Sequence, residues 1–224
     1  MKTIVTSGFV VLTTLLSCAQ KTPTNNSINM ENKKMKNTET PLPEHTETAT
    51  FANGCFWCTE AIFEELDGVV SATSGYTGGQ KENPTYKQIC TGETGHAECL
   101  QIVYDTSKIT FDELLEVFWE THDPTTLNRQ GADAGTQYRS GIFYHTQEQK
   151  EKAEKYKAEL DKSGAFDRPI VTEITAFTKF YPAEDYHQQY FENNENSNPY
   201  CTIVIRPKLD KFRKVFKEKL KKGN

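Results

Sequence analysis

The stretch TATFANGCFWCTEAIFEEL, residues 48–66, changes from one hydrophobic pattern to another. Its first seven residues are rich in Thr and Ala around an aromatic residue and predict a short strand. The apolar residues of its second part, which recur at helical spacing, are Ile62, Phe63 and Leu66. This spacing predicts a helix, and Gly54 marks the turn that precedes it. The folded part of the chain therefore begins as a strand that enters a helix, with Cys55 at the junction.

Four later segments predict further strands, because they are rich in β-branched and aromatic residues and are bounded by turn residues. They are GVVSATSGYTGG (68–79), ECLQIVYD (98–105), YRSGIFYH (138–145) and IVTEITAF (170–177). Residues 121–137, THDPTTLNRQGADAGTQ, are punctuated by Pro and Gly and predict a long loop. Loops of this length often carry functional residues.

Three segments predict further helices. Thr110 with Glu113, and Thr146 with Gln149, have the spacing of a capping box, in which two side chains bond to backbone N–H groups at a helix start. The second of these helices should end at Gly164. The C-terminal segment 207–222 places four apolar residues on one helical stripe, and the lysines opposite them predict a solvated face. Those apolar residues are Leu209, Phe212, Phe216 and Leu220.

Length and charge limit the class of protein. The chain has 224 residues and a formal net charge of −5, which is enough sequence for one sizeable core. A nucleic-acid-binding protein would usually carry a basic excess instead. We therefore expect one α+β domain over residues 49–224.

The first 18 residues, MKTIVTSGFVVLTTLLSC, have the layout of a secretory signal: Lys2, an apolar run and then a small residue, Ser17. Their end resembles a bacterial lipoprotein box, in which the peptide is cut before a cysteine that is then lipidated. This predicts an exported protein that is lipid-anchored through Cys18 to a bacterial membrane, facing the periplasm or the cell surface. An ordinary signal peptide with an incidental cysteine is the alternative. Residues 19–48 contain little that could be buried and predict a disordered tether.

Cys55 and Cys58 stand three residues apart at the start of the predicted helix. A structural zinc site would need two further ligands, for which His96 and Cys99 are the remotely suitable pair, and we expect no metal here. Haem attachment is excluded because Thr59 stands where a histidine is required. A thiolate remains, and the positive end of the helix dipole predicts a lowered pKa for Cys55.

The five cysteines after Cys18 are an odd number, which does not suit a framework of structural disulfides. We expect Cys90 and Cys99 to be small buried residues, and redox chemistry at the Cys55–Cys58 pair. Phe56 and Trp57 separate that pair and form an apolar slot, which favours a small thioether or methyl substituent over a protein disulfide. A thiol–disulfide oxidoreductase is nevertheless the alternative function.

Several longer motifs carry a resemblance over residues 50–207. They are GCFWC (54–58), GYTGG (75–79), NPTY (83–86), TGHAE (94–98), GTQYRS (135–140) and YPAEDYHQQY (181–190). The chain resembles a peptide methionine sulfoxide reductase of the A type. The resemblance implies a two-layer α+β sandwich with a ferredoxin-like core and extensive coil. It also implies reduction of methionine S-sulfoxide, in proteins and as the free amino acid, without metal or organic cofactor. We expect the protein to be a monomer.

The resemblance implies a role for each matching residue. Cys55 is the nucleophile, Glu98 the general acid, and Tyr86 and Tyr138 hydrogen-bond the sulfoxide oxygen. Asp133 helps to organise the site, and the substrate methyl group binds between Phe56 and Trp57.

A second thiol must resolve the sulfenic acid formed on Cys55, and a thioredoxin-type protein or another dithiol then reduces the disulfide. Many relatives have glycine at the position of Cys58 and carry their resolving cysteines in a glycine-rich tail. Because Cys58 lies one turn from Cys55, we expect Cys58 to resolve, with Cys201 as the alternative.

Overall fold

The computed structural model describes residues 44–222. Its main sheet has six strands in the order β7-β6-β1-β3-β2-β8. Neighbouring strands are antiparallel except β6 and β7, and β4 pairs with β5 in a separate short hairpin. The strands are β1 (Thr46–Asn53), β2 (Val69–Thr77), β3 (Ala97–Asp105), β4 (Arg129–Gln130), β5 (Asp133–Ala134), β6 (Ser140–Tyr144), β7 (Glu173–Ala176) and β8 (Tyr181–Pro182).

Helices pack against this sheet. They are α1 (Phe56–Phe63), α2 (Tyr86–Ile89), α3 (Phe111–Glu120), α4 (Gln147–Ser163), α5 (Tyr190–Asn194) and α6 (Arg206–Val215), and a π-helical turn, Cys201–Ile205, leads into α6. Residues of α1, α3, α4 and α6 join inward-facing residues of β1, β3 and β6 in the largest core cluster. Phe51 on β1 is fully buried, and its ring packs against Phe63, Phe111 and Phe118. This one residue therefore joins β1 to both α1 and α3.

The predicted strands and helices are present, with differences at their ends. β1 begins at Thr46, so the last residues of the predicted tether belong to the sheet. The capping box at Thr110 is confirmed. At α4, Thr146 accepts from the Gln149 N–H, but the Gln149 side chain accepts from the His145 N–H instead of closing the box.

The C-terminal segment is shorter as a helix than its apolar stripe predicts. Helix α6 ends at Val215, and Leu220 forms a β-bridge with Leu66. Backbone bonds from Asp67 N to Lys219 O and from Lys221 N to Glu65 O, both 2.8 Å, hold this end along the chain that follows α1. Pairing with that segment replaces the last predicted helical turn.

The predicted signal peptide, the lipidated Cys18 and most of the tether lie outside the described residues. Within residues 44–222, every helix is too short or too polar to cross a bilayer.

Candidate active site

The turn between β1 and α1 places Cys55 at the start of the helix. Gly54 has φ +100°, and a Cβ there would lie 2.7 Å from the Gln130 side chain, so glycine is required in this turn. Cys55 is the N-cap residue of α1, and its carbonyl accepts from Cys58 N at 3.1 Å. The Thr59 hydroxyl donates to the side chain of Asn53, which ties the helix to the end of β1.

Phe56 and Trp57 occupy different environments beside the two thiols. Phe56 is 1% exposed and packs against the rings of Tyr76 and Tyr86. Trp57 is half-buried, and its Nε1–H donates to His187 Nδ1 at 3.0 Å. Its indole also stacks parallel to the Tyr190 ring at 3.6 Å between centroids. Trp57 is therefore the accessible part of this aromatic wall, while Phe56 supports it from inside.

Glu98 on β3 lies beside the first residue of α1, which stands between the two thiols in the sequence. Its carboxyl is 1% exposed, and Oε2 accepts from Phe56 N at 3.2 Å. Burial raises the pKa of Glu98 to about 8, and the nearby Asp133 and Cys58 act in the same direction. The carboxyl is therefore mostly protonated at neutral pH, as a proton donor must be.

Tyr86 and Tyr138 are both half-buried and lie beside Glu98. Burial and the neighbouring Glu98 carboxyl raise the pKa of each phenol, so both hydroxyls remain donors. Tyr138 also lies close to Cys55 and Asp133. The structure thus brings the predicted site residues together around Cys55.

Asp133 contacts a residue that the sequence analysis did not single out. The Tyr200 hydroxyl donates to Asp133 Oδ2 at 2.7 Å and lies near the sulfurs of Cys55 and Cys58. Burial and these neighbours raise the pKa of Tyr200. The Tyr200 hydroxyl is therefore bonded to the Asp133 carboxylate and close to both thiols.

The predicted lowering of the Cys55 pKa is wrong for this arrangement. Burial raises the pKa of Cys55 well above its usual value, and the neighbouring Cys58 and Glu98 add to the effect. The pKa of Cys58 is lowered, first by the neighbouring Cys55 thiol and then by Lys208. The helix start is present as predicted, but burial outweighs its dipole, so Cys58 is the more acidic thiol of the pair.

The other thiols have separate environments. Cys201 is fully buried in the apolar cluster that contains Cys55 and Cys58. Cys99 is buried as predicted, whereas Cys90 is exposed, so the prediction for Cys90 is wrong. Cys90 follows the last residue of the short helix α2.

Residues 44–222 contain no cluster of three His, Cys, Asp or Glu side chains suited to a metal ion. Both ring nitrogens of His96 contact the neighbouring loop: Nδ1 accepts from Gly79 N at 3.1 Å, and Nε2 lies 2.8 Å from Lys81 O. His96 is therefore a structural residue, which removes the ligand that a zinc site with Cys55 and Cys58 would need.

Residues in the segment that follows β8 hold other side chains of the site in place, and the sequence motifs did not predict these contacts. Glu184 accepts from Tyr86 N at 2.8 Å and from the Tyr76 hydroxyl at 2.9 Å, which fixes the start of α2. His187 and Tyr190 hold the indole of Trp57. These residues lie in or beside the quoted motif YPAEDYHQQY, but their partners are about a hundred residues away and have no local signal.

The family model and the curated relatives that match this chain all indicate one family. The model of the family described as "Peptide methionine sulfoxide reductase" matches residues 47–220. The "Peptide methionine sulfoxide reductase MsrA" of Natronomonas pharaonis is 53% identical over 175 residues, which cover 78% of this chain and 98% of the relative. The protein of the same name from Haloquadratum walsbyi is 57% identical over 175 residues, which cover 78% of this chain and 99% of the relative.

Two solved structures agree with this assignment. Reduced Mxr1 from Saccharomyces cerevisiae has a TM-score of 0.65 and 38% identity, with 70% of this chain and 90% of that chain covered. Methionine sulfoxide reductase A of Corynebacterium diphtheriae has a TM-score of 0.63 and 40% identity, with coverages of 70% and 80%.

Proposed function

The chain belongs to the peptide methionine sulfoxide reductase family, and on that premise we propose that it reduces methionine S-sulfoxide in proteins and in the free amino acid. One observation carries the proposal. A carboxyl that burial keeps protonated, Glu98, lies next to the buried thiol of Cys55. A sulfoxide oxygen leaves poorly unless it is protonated, so this reaction requires such a pair.

In the first step, Cys55 attacks the sulfoxide sulfur and transfers its own proton to Cys58. Glu98 protonates the oxygen, while the hydroxyls of Tyr86 and Tyr138 stabilise the charge that shifts on it. The S–O bond of the substrate then breaks as the protonated oxygen moves to the Cys55 sulfur, and the transient bond between the two sulfurs breaks as methionine is released. Cys55 is left as a sulfenic acid. The substrate loses its oxygen and gains two electrons, which Cys55 supplies.

In the second step, Cys58 gives up its proton and attacks Cys55. The new S–S bond replaces the S–O bond, and the oxygen leaves as water. The position of Cys58 in the first turn of α1, in the same cluster as Cys55, supports Cys58 as the resolving residue, with Cys201 as the alternative. A thioredoxin-type protein or a small dithiol then reduces the disulfide, so the reaction uses an external reductant and no bound cofactor.

The test is reduction of a racemic methyl sulfoxide by dithiothreitol, with the wild type and Cys55→Ser compared. We expect the wild type to consume one epimer and the variant to be inactive. Turnover of a protein disulfide with no consumption of sulfoxide would identify a thiol–disulfide oxidoreductase instead.

We also propose a two-layer sandwich with a ferredoxin-like core. The order of elements β1-α1-β2-β3-α3-β6 and the strand order β6-β1-β3-β2 support this reading, since they follow the split βαβ pattern.

Export and lipid attachment at Cys18 are likewise a proposal that rests on the sequence of residues 1–18. Labelling of growing cells with a radioactive fatty acid tests it. The wild type should be labelled and Cys18→Ala should not, and an unlabelled wild type would indicate an ordinary signal peptide.

A further inference from the structure

We propose that Lys208 is a catalytic residue of this site, which holds negative charge on Cys58 and so makes Cys58 the thiol that resolves the sulfenic acid. The inference rests on the proposed function and deepens it. None of the family motifs quoted above contains Lys208.

The geometry begins with a direct contact. Lys208 Nζ lies 3.9 Å from Cys58 Sγ, and Cys58 is 4% exposed while Lys208 is half-buried. The ion pairs that lysines form within residues 44–222 do not include Lys208. Its charge is therefore directed at a sulfur and not neutralised by a carboxylate within 4.0 Å among those residues.

The path of the chain fixes this contact. Ile205, at the end of the π-helical turn, packs in the apolar cluster with Cys55 and Cys58. Lys208 follows three residues later on α6, on the same side of the helix. Leu209 is buried in the main core and anchors this first turn of α6.

Several charged or titratable groups face Cys58 from the elements around it, and Lys208 is the cation among them. They are Cys55 from the turn before α1, Glu98 from β3, Asp133 from β5, Tyr200 and Cys201 from the segment before α6, and Lys208 from α6. Glu98 is mostly protonated at neutral pH, and Asp133 opposes the thiolate. His122 lies near Lys208, but burial lowers its pKa to about 4, so it is neutral at pH 7.

The chemical consequence concerns the second step. A thiolate, and not a thiol, attacks the sulfenic sulfur. A cation within about 4–6 Å of an acidic group lowers the pKa of that group by about 1–3. Lys208 therefore raises the fraction of Cys58 that can attack at neutral pH, after Cys58 has taken the proton of Cys55 in the first step.

The first test measures the thiolate itself. Alkylation of Cys58 by iodoacetamide is followed against pH, with peptide mass spectrometry, in a Cys55→Ser background. We expect Lys208→Met and Lys208→Gln to raise the pKa of Cys58 by about one, and Lys208→Arg to preserve it. Lys211→Met is the matched control, because Lys211 is an exposed lysine on the same helix. The inference is overturned if Lys208→Met moves the pKa no more than Lys211→Met does.

The second test separates this inference from the proposed function. Each full-length variant, with Cys55 intact, reacts once with an S-sulfoxide, and both methionine release and dimedone-trapped sulfenic acid are measured. We expect Lys208→Met to release one equivalent of methionine but to form the Cys55–Cys58 disulfide about tenfold more slowly at pH 7, with recovery at higher pH. Unchanged disulfide formation would refute the role of Lys208, whereas no methionine from the wild type would refute the function.

Discussion

Replacement of Glu98 by Gln tests the proton donor that the mechanism requires. The variant keeps an oxygen that can accept from Phe56 N, the bond seen at 3.2 Å, and removes only the transferable proton. The pKa of Glu98 rises from the usual 4.5 to about 8. Ionisation of this carboxyl therefore costs about 5 kcal/mol more inside the protein than in water. About nine in ten Glu98 carboxyls are therefore protonated at pH 7, and about one in ten at pH 9.

The expected result has two parts. Loss of a general acid should slow methionine release in a single turnover by about 100- to 10,000-fold at pH 7. In the wild type, the rate should also fall as the pH rises through about 8, since the acid loses its proton there. Glu98→Gln has no proton to lose, so its rate should lack this alkaline decline.

The assay is rapid-quench measurement of methionine with enzyme in excess over the S-sulfoxide, from pH 6 to pH 10. Thermal unfolding of both proteins serves as the control for folding. The reasoning fails if Glu98→Gln releases methionine within about threefold of the wild-type rate, or if the alkaline decline persists in the variant.

Three further substitutions probe the surroundings of the site. Glu60 is 1% exposed with a pKa that burial raises to about 7, so the folded protein should lose up to about 3 kcal/mol of stability as the pH rises from 4.5 to above 7. Urea denaturation of Glu60→Gln should show a decline that is smaller by up to this amount, because Glu98 still contributes its own loss of stability, and an equal decline in both proteins would contradict the prediction. Tyr200→Phe removes the 2.7 Å bond to Asp133 and should cost about 1 kcal/mol, while alkylation of Cys58 should require higher pH. At Gly54, φ is +100° and an added Cβ would lie 2.7 Å from the Gln130 side chain. Gly54→Ala should therefore lower the free energy of unfolding by about 2 kcal/mol, and an unchanged urea midpoint would refute the packing argument.

The parts of the fold with local signals could be predicted from the sequence. The strand–turn–helix around Gly54 and the cap at Thr110 depend on residues only a few positions apart. The end of α6 could not be predicted in this way. Its apolar stripe continues to Leu220, but backbone pairing with the segment after α1 competes successfully with the helix.

The same distinction applies to the site. Cys55 and Cys58 follow from their spacing, and the general-acid position of Glu98 follows from the family motif. The contacts of Tyr200 with Asp133 and of Lys208 with Cys58 join residues 67 and 150 positions apart. The direction of the Cys55 pKa depends on burial, which three-dimensional packing decides, and so the dipole argument alone gave the wrong sign.

The central claim is that the sulfur of Cys55 takes the oxygen of methionine S-sulfoxide and that Cys58 then closes the disulfide. The most direct measurement mixes reduced enzyme with an equal amount of racemic N-acetylmethionine sulfoxide in the absence of reductant. Chiral chromatography then follows both epimers, and peptide mapping identifies the disulfide. We predict loss of the S epimer alone, with a Cys55–Cys58 bridge formed in equal amount to the methionine product. Product formation that leaves the Cys55 thiol intact, or that consumes both epimers equally, would contradict the account.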